Sequence, residues 1–312
     1  MVAAAPKQSP SSADDGSSPQ ADVSRQALIT PWITQIEADL DDADIELPVL
    51  PGVAAEVLSL TGDDAASVGR LAQLIKQDQS LASHVLRIAN SPAYRGAHEI
   101  VALQQAITRL GMGRVAEIAL AIALSGTAID PGPYTAIADD AWNLGLSTGL
   151  WAKEVARLAR ANVEVAYLCG LLHNVGTSLA LARLLANMRS AAPDPAAQAA
   201  DLTDAVVLDI LAATTGAAGE LIAEHWALPQ PVQYVIERLE EDLIDEHLDQ
   251  TLAVTQCALW IARVDARSGF RESSLEDLVV HPAPEFLNLY PDDLAELVAA
   301  TPQVRAAVEA MH

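Results

Sequence analysis

Apolar residues along this chain recur at three- and four-residue steps, and strict two-residue alternation is scarce. That period places side chains on one face of a helix, so the pattern predicts an all-α protein. It is clearest across residues 78–114. Leu81, Val85 and Ile88 share one face, and Asp78 stands where a carboxylate caps the first-turn amides, with Ser80 close behind. Asn90-Ser91-Pro92 ends this helix, because proline disfavours helical geometry in the residue before it. A polar loop follows around Tyr94, Arg95 and Gly96. A second helix carries Leu103, Ala106, Ile107 and Leu110 and stops at Gly111, and Gly113 gives the backbone freedom to turn.

Read in order, the chain divides at 46–47 and at 128–129. Residues 1–24 are rich in Ser, Pro and Ala and are expected to be disordered. Thr30-Pro31 reads as a helix start, with Trp32, Ile33, Ile36 and Leu40 as an apolar stripe behind it. The stripe would dock on the chain's own body or on a partner. The acids Asp39, Asp41, Asp42, Asp44 and Glu46 then form a solvated linker. Residues 47–128 hold four or five helices, of which 115–125 is apolar nearly all round and so central. Asp130-Pro131-Gly132-Pro133 breaks the chain. In 129–312 the pattern gives helices over 142–158, 165–173, 178–188, 202–225, 232–243, 251–266, 274–279 and 291–310. The architecture expected is a two-lobed helical bundle. No glycine-rich phosphate loop follows a strand, and no internal repeat is evident.

Charge sharpens this division. The chain has 18 basic and 42 acidic residues, a net −24. Residues 47–128 hold 6 of each and are neutral, whereas residues 1–46 hold 2 basic and 9 acidic, and residues 129–312 hold 10 and 27. A polyanion of this kind repels phosphate backbones and anionic membranes, so neither nucleic acid nor membrane is an expected partner. Cys169 and Cys257 sit in apolar surroundings and read as small buried hydrophobes. The N-terminus has no apolar core of signal-peptide length, and the uncharged run 165–182 is interrupted by His173, Asn174 and two glycines, so a cytoplasmic location is expected.

The segment LRIANSPAYRGAHEIVALQQAITRLGMGRV resembles the HDOD family, the HD-related output domains of bacterial signalling proteins. The resemblance rests on Leu47-Pro48-Val49-Leu50-Pro51, Asp78, Leu81, Leu86, Asn90-Ser91, Tyr94, Ile100, Ala106-Ile107 and Leu110-Gly111, joined in order by CGLLHNVG at 169–176 and GELIAEHWALPQPV at 219–232. It spans roughly residues 45–310. It implies an all-helical, two-lobed module that binds proteins, usually without catalysis or a cofactor. Histidine kinases, response regulators and cyclic-di-GMP enzymes are the partners it suggests. No receiver or nucleotide-cyclase segment is recognisable, so the input is expected from a separate partner or from expression level.

The resemblance also allows a test for chemistry. HD-type hydrolases hold divalent metals with histidines and aspartates, and the metal lowers the pKa of a bound water to make the nucleophile. Aligned on that pattern, the ligand positions read Leu144, His173-Asn174, Thr215, Leu239-Glu240 and Ala258-Leu259. Only His173 keeps a donor of the family's type at its place. No catalytic, metal or cofactor residue is therefore expected. The alternatives are a residual metal-dependent phosphohydrolase or cyclic-dinucleotide phosphodiesterase, and a nucleotide sensor using the vestigial pocket. Filling the cage with leucines should help close that lobe as an ordinary core. The candidate interaction surface is then the loop of the neutral segment, with Arg87, Asn90, Ser91, Tyr94, Arg95 and His98. Ser91 lacks a nucleophile elbow and a base, and the acidic run 237–249 reads as a solvated helix face.

Overall fold

The computed structural model describes residues 19–59, 65–94, 96, 98–125, 130–190, 202–240 and 250–311, and those residues contain helices and no strand. The helices are α1 (Pro19–Leu40), α2 (Gly52–Ser59), α3 (Ala65–Gln77), α4 (Gln79–Ala89), α5 (Leu103–Leu110), α6 (Met112–Ser125), α7 (Thr135–Leu158), α8 (Val163–Leu172) and α9 (Gly176–Ser190). There follow α10 (Asp204–His225), α11 (Gln230–Arg238), α12 (Gln250–Ser268), α13 (Leu275–Val280), α14 (Pro282–Phe286) and α15 (Pro291–Met311). Several expectations fall outside the described residues: most of the expected disorder at 1–24, the loop residue Arg95, and the acidic run beyond Glu240.

Helices α2 to α6 pack chiefly on one another around α6, which meets α2, α3, α4 and α5. Its buried Val115, Ile118, Ala119 and Leu120 give it the central place its nearly uniform apolarity predicts. Asp78 caps α4, its carboxylate accepting from the Leu81 amide at 2.9 Å. Gly111 ends α5 with φ at 82°, in the left-handed region where a side chain would be strained. The remaining helices gather on α7, which packs against α8, α12 and α15, while α10 lies between α9 and α11. One apolar core runs through both groups. Trp226 joins them further by donating from its indole to the Pro48 carbonyl at 2.7 Å.

Two helix starts differ from the sequence pattern. Instead of opening at Thr30-Pro31, α1 runs through Pro31 from Pro19. Tertiary contacts explain the extension. Upstream of the proline, Arg25 pairs with Asp209 and donates to the Ala205 carbonyl at 3.2 Å. Buried Ile29, Ile36 and Leu40 dock the helix on α9 and α10, and Asn187 donates to Asp39 at 2.8 Å. The stripe thus lies on the chain's own body. Likewise α7 begins at Thr135, upstream of Trp142, where Tyr134 and Ile137 are already buried. Gly176, expected to stop a helix, begins α9. Val163–Ser190 and Asp204–His225 are long and apolar enough to cross a membrane by length and composition. The first of these is broken by a turn at 173–175, and 72% of its apolar 18-residue window is buried.

Candidate functional site

The fold gathers six of the aligned ligand positions, all but Ala258 and Leu259, round one cavity of about 610 Å³. Leu144, His173, Asn174, Thr215, Leu239 and Glu240 line it, together with Asp140, Thr177 and Arg263. Leu259 is buried but is not among the lining residues. Backbone proximity makes this assembly possible. A Cβ built on Gly176 would stand 2.1 Å from the Thr215 carbonyl and 2.3 Å from the Gly219 nitrogen, so only glycine lets α9 and α10 meet here. The same approach brings the Thr177 and Thr215 hydroxyls within 3.3 Å.

His173 terminates α8. Its Nδ1 donates to the Gly170 carbonyl at 2.7 Å, which fixes the proton on Nδ1 and leaves Nε2 with a lone pair. Burial pushes the imidazole pKa down from 6.5 to about 4; the Gly170 bond opposes this and the nearby Arg263 charge adds to it. The ring is neutral at physiological pH. Asn174 donates from Nδ2 to the Ala141 carbonyl at 2.7 Å, tying the end of α8 to α7. A carboxylate has no hydrogen to make that bond. Asparagine is thus the residue this helix crossing requires. Among the described residues no three His, Cys, Asp or Glu side chains stand close enough to share a metal. A divalent ion needs several imidazole or carboxylate donors, and Leu144 and Leu239 supply none. The residues present do not fit the family's metal centre.

The loop after α4 has a different character. The Asn90 amide donates to the Leu86 carbonyl at 3.0 Å and to the Ile100 carbonyl at 2.7 Å, while its oxygen accepts from the Ile100 amide at 2.7 Å. One side chain therefore clamps both ends of the loop. Tyr94 turns inward with its ring 5.6 Å from the Arg114 guanidinium carbon. Burial raises its phenol pKa, and neither Tyr94 nor Ser91 has a hydrogen-bond partner for its buried hydroxyl among the described residues. Arg87 and His98 are exposed, as is the neighbouring Val101 at 71%.

Beneath the loop lies an ionic cluster that sequence reasoning missed. Lys153 of α7 is buried, pairs with Glu117 of α6 and sits 5.5 Å from the Tyr167 ring. Arg114 approaches the same carboxylate at 3.5 Å, and the Tyr167 hydroxyl donates to the Glu117 carbonyl at 3.2 Å. Desolvation lowers the Lys153 pKa despite its anionic partner. The signal was present. Glu117 is the one charge in VAEIALAIALS, and Lys153 stands among the apolar residues of a buried helix face.

A family model for the HDOD domain matches residues 47–241. The chain belongs to the HDOD family. An uncharacterized protein of Treponema pallidum (strain Nichols) is 24% identical over 226 residues, 67% of this chain, and the chain spans 40% of that relative's length. Among solved structures, a proposed metal-dependent phosphohydrolase from Shewanella amazonensis superposes with a TM-score of 0.69 at 20% identity, covering 92% of this chain and all of the other. An HDOD domain protein of unknown function from Geobacter sulfurreducens gives 0.65 at 20% identity, over 90% and 98% of the two chains. A proposed signal transduction protein from Marinobacter aquaeolei gives 0.57 at 21% identity, over 93% of this chain and 66% of the other. At these identities the likeness concerns the fold. The HDOD match ends near Glu241, yet the superpositions extend over nine-tenths of the chain, so most of the remaining helices share the neighbours' fold as well.

Proposed function

We propose that this HDOD protein is a non-catalytic, cytoplasmic signalling module that acts by binding other proteins. The observation that carries the reading is the Asn174 amide bonded to Ala141, at the place where an HD hydrolase has its aspartate ligand. The position serves helix packing, and its neighbours Leu144 and Leu239 are apolar. Working contacts then fall to the surface. In the neutral segment, Arg87 and His98 present charge and hydrogen-bonding groups beside exposed Val101, on a loop held in shape by Asn90. A loop pinned at both ends loses less entropy on docking than a free one, which favours recognition. Asn90, Ser91 and Tyr94 shape that surface from within.

The reading is tested by capture from a bacterial lysate on the immobilised protein, comparing the native chain with R87E/H98E. Both substitutions are on the surface, so the melting temperature should stay within the range of about ±0.5 kcal/mol in stability. Loss of a saturable partner in the variant supports the reading. Stoichiometric metal by elemental analysis, or manganese-dependent phosphodiester cleavage abolished by His173→Ala, sinks it in favour of a hydrolase.

A further inference from the structure

The 610 Å³ cavity around His173 and Asn174 is of the size of small-molecule sites, roughly 300–1,000 Å³. Its wall is apolar: Ile137, Leu144, Leu211, Ile236 and Leu239 line it, and Leu208 stands 52% exposed among them. An occupant must therefore bring an apolar body. Charge selects further. Asp140 and Glu240 place two exposed carboxylates on the lining, and Arg263 places an exposed guanidinium there. None of the three forms an ion pair with another charged side chain among the described residues. Their charges therefore do not neutralise one another at contact.

A simple cation would leave Arg263 unmatched, and a simple anion would face two carboxylates. A polyphosphate meets one arginine and two repelling acids, which disfavours nucleotides. A molecule carrying both signs offers a counter-charge to the acids and to the arginine alike. His173 is a buried residue of the same lining, and its neutral ring keeps an acceptor at Nε2, which suits an N–H of such a molecule. We propose that the cavity binds a small zwitterion with an apolar body, an apolar amino acid or a dipeptide of such residues, as a ligand input to the module. This goes beyond the protein-contact reading and does not depend on it, since a pocket can be occupied whether or not the loop binds a partner.

Isothermal titration of the full chain with L-phenylalanine and with L-leucyl-L-phenylalanine tests the proposal. 3-Phenylpropionate lacks the ammonium of phenylalanine and phenethylamine lacks its carboxylate, so they report each half of the charge match. At least one zwitterion should bind saturably, one per chain, with both half-analogues roughly tenfold weaker or worse. R263Q, an exposed change, should weaken the zwitterion by a similar factor and leave phenethylamine unchanged. L144W should fill the cavity and abolish binding, with circular dichroism checking its fold. Absence of binding by both zwitterions, equal binding of a half-analogue, or undiminished affinity in R263Q overturns the proposal.

Discussion

Asn90 in the first helix group and Asn174 in the second both use a side-chain amide to hold main chain, yet the consequences differ. Asn90 makes its bonds across a loop, to Leu86 and to both backbone groups of Ile100, and thereby shapes a surface. Asn174 makes its bond across a helix crossing, to Ala141, at the position that the resemblance aligns with the aspartate of HD hydrolases. The first region has an ordered exterior over an ionic cluster. The second has a leucine-lined cavity with charges near its mouth. The leucines at the aligned ligand positions do not close this region as the ordinary core expected of them: Leu144 and Leu239 are only half-buried and line an open cavity.

The strongest test of that contrast is at the junction, where Glu117 of α6 meets Lys153 of α7. Lys153→Met leaves the Glu117 carboxylate, only 12% exposed, without its closest cation. Breaking a buried pair from one side costs about 3–5 kcal/mol, whereas replacing both members is often neutral or stabilising. Denaturant unfolding should show that loss in K153M and recovery of most of it in E117L/K153M. If the single variant lost under about 1 kcal/mol, the buried Glu117 carboxylate would not depend on Lys153 as its partner.

Next in size is the pH dependence due to His173. Its folded pKa is lowered from 6.5 to about 4, so between those values the unfolded chain holds more protons than the native one. Stability is therefore complete above about pH 6.5 and falls as the pH drops toward 4, by about 3 kcal/mol in all. Below that the native imidazole also protonates and this dependence levels off. His173→Gln keeps a donor for the Gly170 carbonyl and removes the titration. Comparing its unfolding free energy with the native protein's at the two ends of the window should show the flatter profile in the variant.

Much of the fold was legible because helices announce themselves in periodicity, caps and breaks: Asp78, Pro92 and Gly111 mark ends that the backbone confirms. The start of α1 was not legible, because docking of Ile29 and Arg25 on residues far along the chain overrides the local signal of Pro31. The cavity was half legible. The family's spacing brought Leu144, His173, Thr215 and Leu239 to notice, but the roles of Asp140 and Arg263 arise only where α7, α11 and α12 converge. Asn90 shows the same limit. Sequence placed it at a helix end, and only the fold shows Ile100 returning to meet it.

The smallest effect bears most directly on the two asparagines. Asn174→Asp rebuilds the His-Asp pair of the metal hydrolases, yet here it replaces a donor facing the Ala141 carbonyl with an acceptor. The expected outcome is a loss of about 1–3 kcal/mol and no metal uptake, because Leu144 and Leu239 still offer no lone pairs. Asn90→Asp likewise loses its bonds to the Leu86 and Ile100 carbonyls but keeps the acceptor for the Ile100 amide, so its cost should be of similar size. The two variants part in what else they change. N90D should speed hydrogen exchange across residues 91–100 and weaken partner capture, while N174D should leave both as they are. A variant at 174 that took up manganese, or one at 90 that left the loop's exchange unaltered, would dissolve the distinction between a packing asparagine and a surface-shaping one.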